Sequence, residues 1–160
     1  MSDRPSARTQ TSFLFDLDGT LVDSVYDHVM AWHRALREKN IDVSIWRIHR
    51  RIGMSGDLFT AALSRELGRQ IDDKLRQELS DLHAHHYNTR PTGTVVLPGA
   101  RELLKHLTDN EIPWGIATSG RMRTAGPVLE ALGVDPAKHV VITRDLVRYA
   151  KPDPDLFIAC

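Results

Sequence analysis

The stretch FLFDLDGTLVDS, residues 13 to 24, sets an apolar run against two carboxylates, Asp16 and Asp18, with Gly19 directly after them. A short apolar run closed by polar residues reads as a buried strand. Asp16 and Asp18 then project to the same side as the chain leaves that strand, and Gly19 permits a backbone conformation that a larger residue resists. Two carboxylates this close repel each other unless a cation neutralises them or one carries a proton. Magnesium suits them, being a hard cation that pairs with carboxylates and a phosphate.

Further along the chain, IPWGIATSG (112–120) and HVVITR (139–144) read as two more buried strands, each ending in polar residues. Between them MRTAGPVLEALGV (122–134) repeats Val128, Leu129 and Leu132 at helical spacing and stops at Gly133. A second helix, PGARELLKHLTDNEI (98–112), precedes the second strand and gathers Leu103, Leu104 and Leu107 on one face. Strand–helix–strand alternation implies a parallel, doubly wound sheet, so the fold class is α/β with a Rossmann-like core. In such a sheet ligands bind beyond the carboxyl ends of the strands, which is where Asp16, Asp18, Thr118 and Ser119 fall.

Residues 25–90 break the alternation with four helical patterns and no strand: VYDHVMAWHRALREKN, IWRIHRRIG, GDLFTAALSRELG and DDKLRQELSDLHAHHYN. We expect an inserted α-helical subdomain over 25–90, returning through the Pro- and Gly-containing RPTGTVVLPGA to a core made of 12–24 and 91–160. Because it leaves directly after the two acids, the insert can overhang them. His83, His85 and His86 in HAHH scatter around one helix and read as a solvated face, while Trp32, Trp46 and Trp114 read as packing residues.

Composition narrows the partners. Twenty-one basic residues balance twenty-one acidic ones, so net charge argues for neither a nucleic-acid nor a membrane partner. No run approaches the roughly 20 apolar residues of a membrane span. One cysteine, Cys160, excludes a disulfide within the chain and fits a reducing cytoplasm. The polar MSDRPSARTQ start lacks a secretory apolar segment, and residues 1–11 read as a disordered leader.

DLDGT (16–20), a hydroxyl ending the second strand (Thr118 in GIATSG) and Lys151 in KPDPDLF stand in this order along the chain. In them the sequence resembles the haloacid dehalogenase superfamily of aspartate-nucleophile phosphatases, within its phosphoglycolate phosphatase and beta-phosphoglucomutase-like subgroup. The resemblance implies that Asp16 attacks phosphorus and that Asp18 first protonates the leaving group and then takes a proton from water. It implies phosphate contacts from Thr118, the amides near Ser119 and Gly120, and Lys151. Magnesium would be held by the Asp16 carboxylate and the Asp18 backbone carbonyl. The 25–90 insert corresponds to the superfamily's cap, which places His28, Arg51 and Gly53 near the substrate.

The expected activity is hydrolysis of a small phosphorylated metabolite. Dehalogenases of the superfamily lack the second aspartate, which favours phosphoryl transfer. The alternatives are a sugar-phosphate mutase or a catalytically dead phosphate-binding or regulatory module; against the mutase, Gly56 follows Ser55 where that enzyme carries arginine. The family's fourth motif, acids that complete the metal shell, belongs well beyond Lys151, yet only nine residues follow it. We therefore expect a core incomplete at its C-terminus, a truncated chain of impaired activity, and an exposed apolar edge at SFLF.

Overall fold

The computed structural model describes residues 11–160, so the leader expected over 1–11 lies outside the described residues but for Thr11. Three short strands, β1 (Phe13–Phe15), β4 (Trp114–Ala117) and β5 (Val140–Ile142), form a parallel sheet in the order β1-β4-β5. Phe15 registers with Ile116, and Ile116 with Val141, which brings the carboxyl ends of all three strands to one rim. Between β1 and β4 in sequence, a two-residue antiparallel pair forms, β2 (Val22–Asp23) with β3 (Val95–Val96). This pair clasps the points where the insert leaves and rejoins the core, inside a stretch whose sequence suggests only a hinge. Two residues are too few for alternation to register.

Four helices fill the insert: α1 (Val25–Glu38), α2 (Ile45–His49), α3 (Gly56–Leu67) and α4 (Asp73–Asn88). Ser55 accepts a hydrogen bond from the Leu58 amide at the start of α3, and Asp72 one from the Leu75 amide at the start of α4. Their apolar faces bury Val29, Leu36, Ile48, Phe59, Leu63 and Leu79 in a cluster of their own. A second cluster holds the sheet, with Leu17, Leu21 and Ile116 packed on Leu104 of α5 (Ala100–Asp109) and on Val128, Leu129 and Leu132 of α6 (Met122–Leu132). Gly133 ends α6 in the left-handed conformation at φ +79°, as its place in the sequence suggests.

Pro127 lies inside α6 and has no amide hydrogen for the carbonyl of Arg123. Asn88, at the end of α4, supplies the replacement: its Nδ2 donates to that oxygen at 3.0 Å, tying the insert to the core. After β5 come a 3-10 turn (Arg144–Leu146) and α7 (Asp155–Ala159), which buries Leu156 against Ala117 and Ala150. Among the described residues β1 pairs only with β4, and Phe13 and Leu14 on it stand exposed, the apolar edge expected of SFLF. Among the described residues no helix is long and apolar enough to cross a membrane.

Candidate active site

The first strand end delivers Asp16. Its Oδ1 accepts from the Leu17 amide at 2.9 Å and from Lys151 Nζ at 2.6 Å. Lys151 is fixed in turn by a 2.8 Å bond to the carbonyl of Ala117, the last residue of β4, so one ammonium joins the ends of β1 and β4. A charge-assisted bond of this length fixes the orientation of the carboxylate.

Two residues on, Asp18 Oδ1 accepts from Ser24 Oγ at 2.6 Å and from His28 Nε2 at 3.1 Å. Burial pushes the Asp18 carboxyl up, but the charge and hydrogen bond of His28 and the Ser24 hydroxyl outweigh it and hold the group below its ordinary 3.8. The turn between the acids and α1 is shaped by Gly19 at φ +76°, where a Cβ would come within 2.8 Å of Val25 Cγ2.

The second strand end carries Thr118, Ser119 and Gly120. Thr118 is buried; its Oγ1 accepts from the Gly120 amide at 3.0 Å, which leaves its own hydrogen to be donated. The Ser119 hydroxyl is buried with no partner, an unpaired polar group at the cavity wall. Asp16, Asp18, Thr118, Ser119, Gly120 and Lys151 therefore meet at one rim, and all but Lys151 line a cavity of about 360 Å³ beneath the insert.

The insert contributes unevenly. His28 and Gly53 line the cavity, Gly53 at φ +98°. Arg51, expected near the substrate, instead pairs with Glu66 and donates to the Arg47 carbonyl at 2.7 Å. That guanidinium serves the insert's own packing. His83 also departs from expectation, being buried rather than solvated: its Nε2 lies 3.0 Å from His28 Nδ1, and its ring stacks on Trp32 at 4.3 Å. Burial holds its imidazole well below the ordinary 6.5, with the charge of His28 adding to the effect.

Position on the helix gives the reason. His83 is four residues from buried Leu79 and four from buried Tyr87, on the inward stripe of α4, whereas exposed His85 turns outward. Trp32 packs and also walls the cavity, but Trp46 is 63% exposed, with Arg50 over its ring at 4.8 Å, and is no packing residue.

The sequence also gives no sign of Arg121, Arg123 and Arg144, which line the cavity from the loop after β4, the first turn of α6 and the 3-10 turn after β5. Isolated arginines carry no periodic signal. Their partners, Asp57 of α3 and Asp81 of α4, come from the insert.

The donor set at Asp16 and Asp18 suits a hard divalent cation. Every hydrogen bond recorded on either carboxylate falls on Oδ1, so Oδ2 of each is open to a metal or a substrate. Among the described residues no cluster of three or more His, Cys, Asp or Glu forms a ready-made cation site. The two carboxylates thus make a partial, oxygen-only set, which suits an ion that keeps water and phosphate among its ligands.

Comparison with known proteins gives the family. The family profile described as haloacid dehalogenase-like hydrolase matches residues 11–160. Hexitol phosphatase A of Escherichia coli is 34% identical over 148 residues, spanning 91% of this chain and 65% of that protein. N-acetylmuramic acid 6-phosphate phosphatase of Pseudomonas aeruginosa is 31% identical over 153 residues, spanning 92% of this chain and 65% of that protein. The chain thus spans about 65% of the length of these relatives. Among solved structures, a hydrolase from Pseudomonas syringae superposes with a TM-score of 0.90 at 53% identity, over 94% of this chain and 68% of that one. A beta-phosphoglucomutase from Clostridium difficile shares the fold, with a TM-score of 0.74 at 24% identity over 94% of this chain and 69% of that one. The strand-end acids, the lysine that binds the first of them and these matches agree: the chain belongs to the haloacid dehalogenase-like hydrolase family.

Proposed function

We propose that the protein is a magnesium-dependent phosphatase of small phosphorylated metabolites, working in the cytoplasm through an aspartyl-phosphate on Asp16. The observation that carries this reading is the 2.6 Å contact between Lys151 Nζ and Asp16 Oδ1, which orients one carboxylate oxygen and leaves Oδ2 open toward the cavity. Asp16 Oδ2 attacks phosphorus in line with the departing alcohol, and the ester becomes an acyl phosphate. The Thr118 hydroxyl and the amides near Ser119 and Gly120 hold the phosphoryl oxygens, while Lys151 balances their charge.

Asp18 takes up a proton as the ester binds, gives it to the leaving oxygen and later takes one from the water that cleaves the acyl phosphate. Its bonds to Ser24 and His28 keep it beside Asp16 without letting it become the nucleophile. The Asp16 carboxylate and the Asp18 carbonyl would hold magnesium, which would supply neutralising charge to the phosphoryl group. The insert acts as a cap, with His28 and Gly53 on the substrate side of its wall.

The names of the relatives support the substrate class, since they are phosphatases of hexitol phosphates, N-acetylmuramic acid 6-phosphate and phosphoglycolate. A mutase reading is weaker, because Gly56 backs onto Trp32, with a Cβ there only 3.3 Å from the ring. The test is phosphate release by the full gene product from a panel of phosphomonoesters. Release that requires magnesium and vanishes in Asp16→Asn supports the reading; turnover that survives Asp16→Asn sinks it.

A further inference from the structure

The leaving-group end of the cavity is reached by three guanidinium groups, and none of them is free. Arg121 Nη1 binds Asp145 Oδ1 at 2.9 Å, while Arg121 Nη2 at 3.4 Å and Arg144 Nη2 at 3.1 Å converge on Asp57 Oδ2. Arg123 pairs with Asp81 and donates to Ser80 Oγ at 2.7 Å. Three cations thus meet three carboxylates of the protein itself. Open guanidinium forks grip a carboxylate or phosphate bidentately, but here the forks are taken. Asp57 is also well seated, because it occupies the first turn of α3, where the helix N-terminus favours an anion.

The insert's side of this wall adds no carboxylate, ammonium or guanidinium, and its ionisable lining groups are His28, His49 and His83. Trp32 and Met54 present apolar surface. Ser80 accepts from Arg123 and keeps its own hydrogen to donate, whereas Thr124 donates to the Arg121 carbonyl at 3.0 Å and keeps lone pairs to accept. Apolar surface beside paired donors and acceptors suits a molecule with C–H faces and hydroxyl groups. The volume of about 360 Å³ has room for a sugar-sized molecule.

We propose that Asp57 is a specificity-determining residue: by occupying Arg121 and Arg144 it makes the leaving-group pocket electrically neutral. The pocket then selects phosphoesters of uncharged polyols, sugars or alditols, over esters whose leaving group carries a carboxylate or a second phosphate. The proposal rests on the phosphatase reading of the same site. A carboxylate-bearing substrate must either displace Asp57 or lie against it, and both cost affinity. Selection arises because the correct ligand leaves no charge unpaired, whereas the wrong one does.

The test compares kcat/KM for sorbitol 6-phosphate and phosphoglycolate in the full gene product and its variants. The wild type is expected to favour the alditol phosphate, and Asp57→Asn to move the ratio toward phosphoglycolate by about tenfold, chiefly through KM, as the two arginines are released. Asp57→Glu, which keeps the carboxylate, restores the wild-type preference. A wild type that favours phosphoglycolate overturns the proposal. So does an Asp57→Asn variant that slows both esters equally, for Asp57 would then only tie α3 to the core. If neither ester is turned over, the phosphomonoester panel decides the phosphatase reading separately, and calorimetric affinities for the same two esters decide Asp57 by the same ratio. Binding of neither overturns the Asp57 proposal.

Discussion

Asp16 and Asp18 share a turn and meet opposite surroundings: an ammonium on the first, an imidazole and a hydroxyl on the second. That difference underlies the separate roles we propose for them, and on the Asp16 side it depends on a residue 135 positions away in sequence. Behind His28 stands His83, buried and held neutral. Because its native pKa lies below the ordinary 6.5, the unfolded chain binds a proton that the native chain refuses between the two values. Stability from this residue is fully present above that ordinary value and falls as the pH drops below it. Thermal unfolding at about pH 7.5 and about pH 5.5 measures this, and His83→Gln is expected to lose less stability on acidification than the wild type. Equal losses would show that His83 titrates as it does in the unfolded chain. The sequence makes Asp16, Asp18 and Lys151 legible because each is tied to a strand end by its motif. It hides His83 because only a count along α4 from Leu79 to Tyr87 reveals which histidine of HAHH faces inward.

Among the elements, long periodic segments are the easy part. The patterns for α1, α3, α4 and α6 mark helices that the structure contains, because each buries an apolar stripe of several turns. The β2–β3 pair and the 3-10 turn after β5 escape, since two or three residues held by tertiary hydrogen bonds carry no period. The turn after β1 is the element on which the site depends most. Gly19 combines φ +76° with a Cβ position only 2.8 Å from Val25 Cγ2, so a side chain there pushes on α1 just where His28 reaches Asp18. Gly19→Ala is expected to destabilise the protein by roughly 1–3 kcal/mol and to lower turnover beyond that loss. Denaturant unfolding with assays on the folded fraction measures both effects; an unchanged midpoint would mean that the turn relaxes freely.

Among the described residues the two larger apolar clusters lie one in the sheet half and one in the helical insert, with the site in the seam between them. The seam is closed by polar contacts: His28 to Asp18, Asp57 to Arg121 and Arg144, and Asn88 to the carbonyl left open by Pro127. The core half of this plan is legible because strand ends and motif order coincide, and the arginine half is not, because its partners lie on separate helices and loops. Only the fold brings Asp57 to Arg144, 87 residues away. The central claim is that this assembly makes Asp16 a phosphoryl acceptor. The most direct measurement is borohydride reduction of the full gene product, acid-quenched during turnover of a phosphomonoester, followed by mass spectrometry of the peptide spanning residues 13–24. Reduction of an acyl phosphate converts its aspartate to homoserine, so the account predicts homoserine at position 16 only when substrate is present. Turnover with residue 16 unreduced, or reduction at another carboxylate, would contradict it.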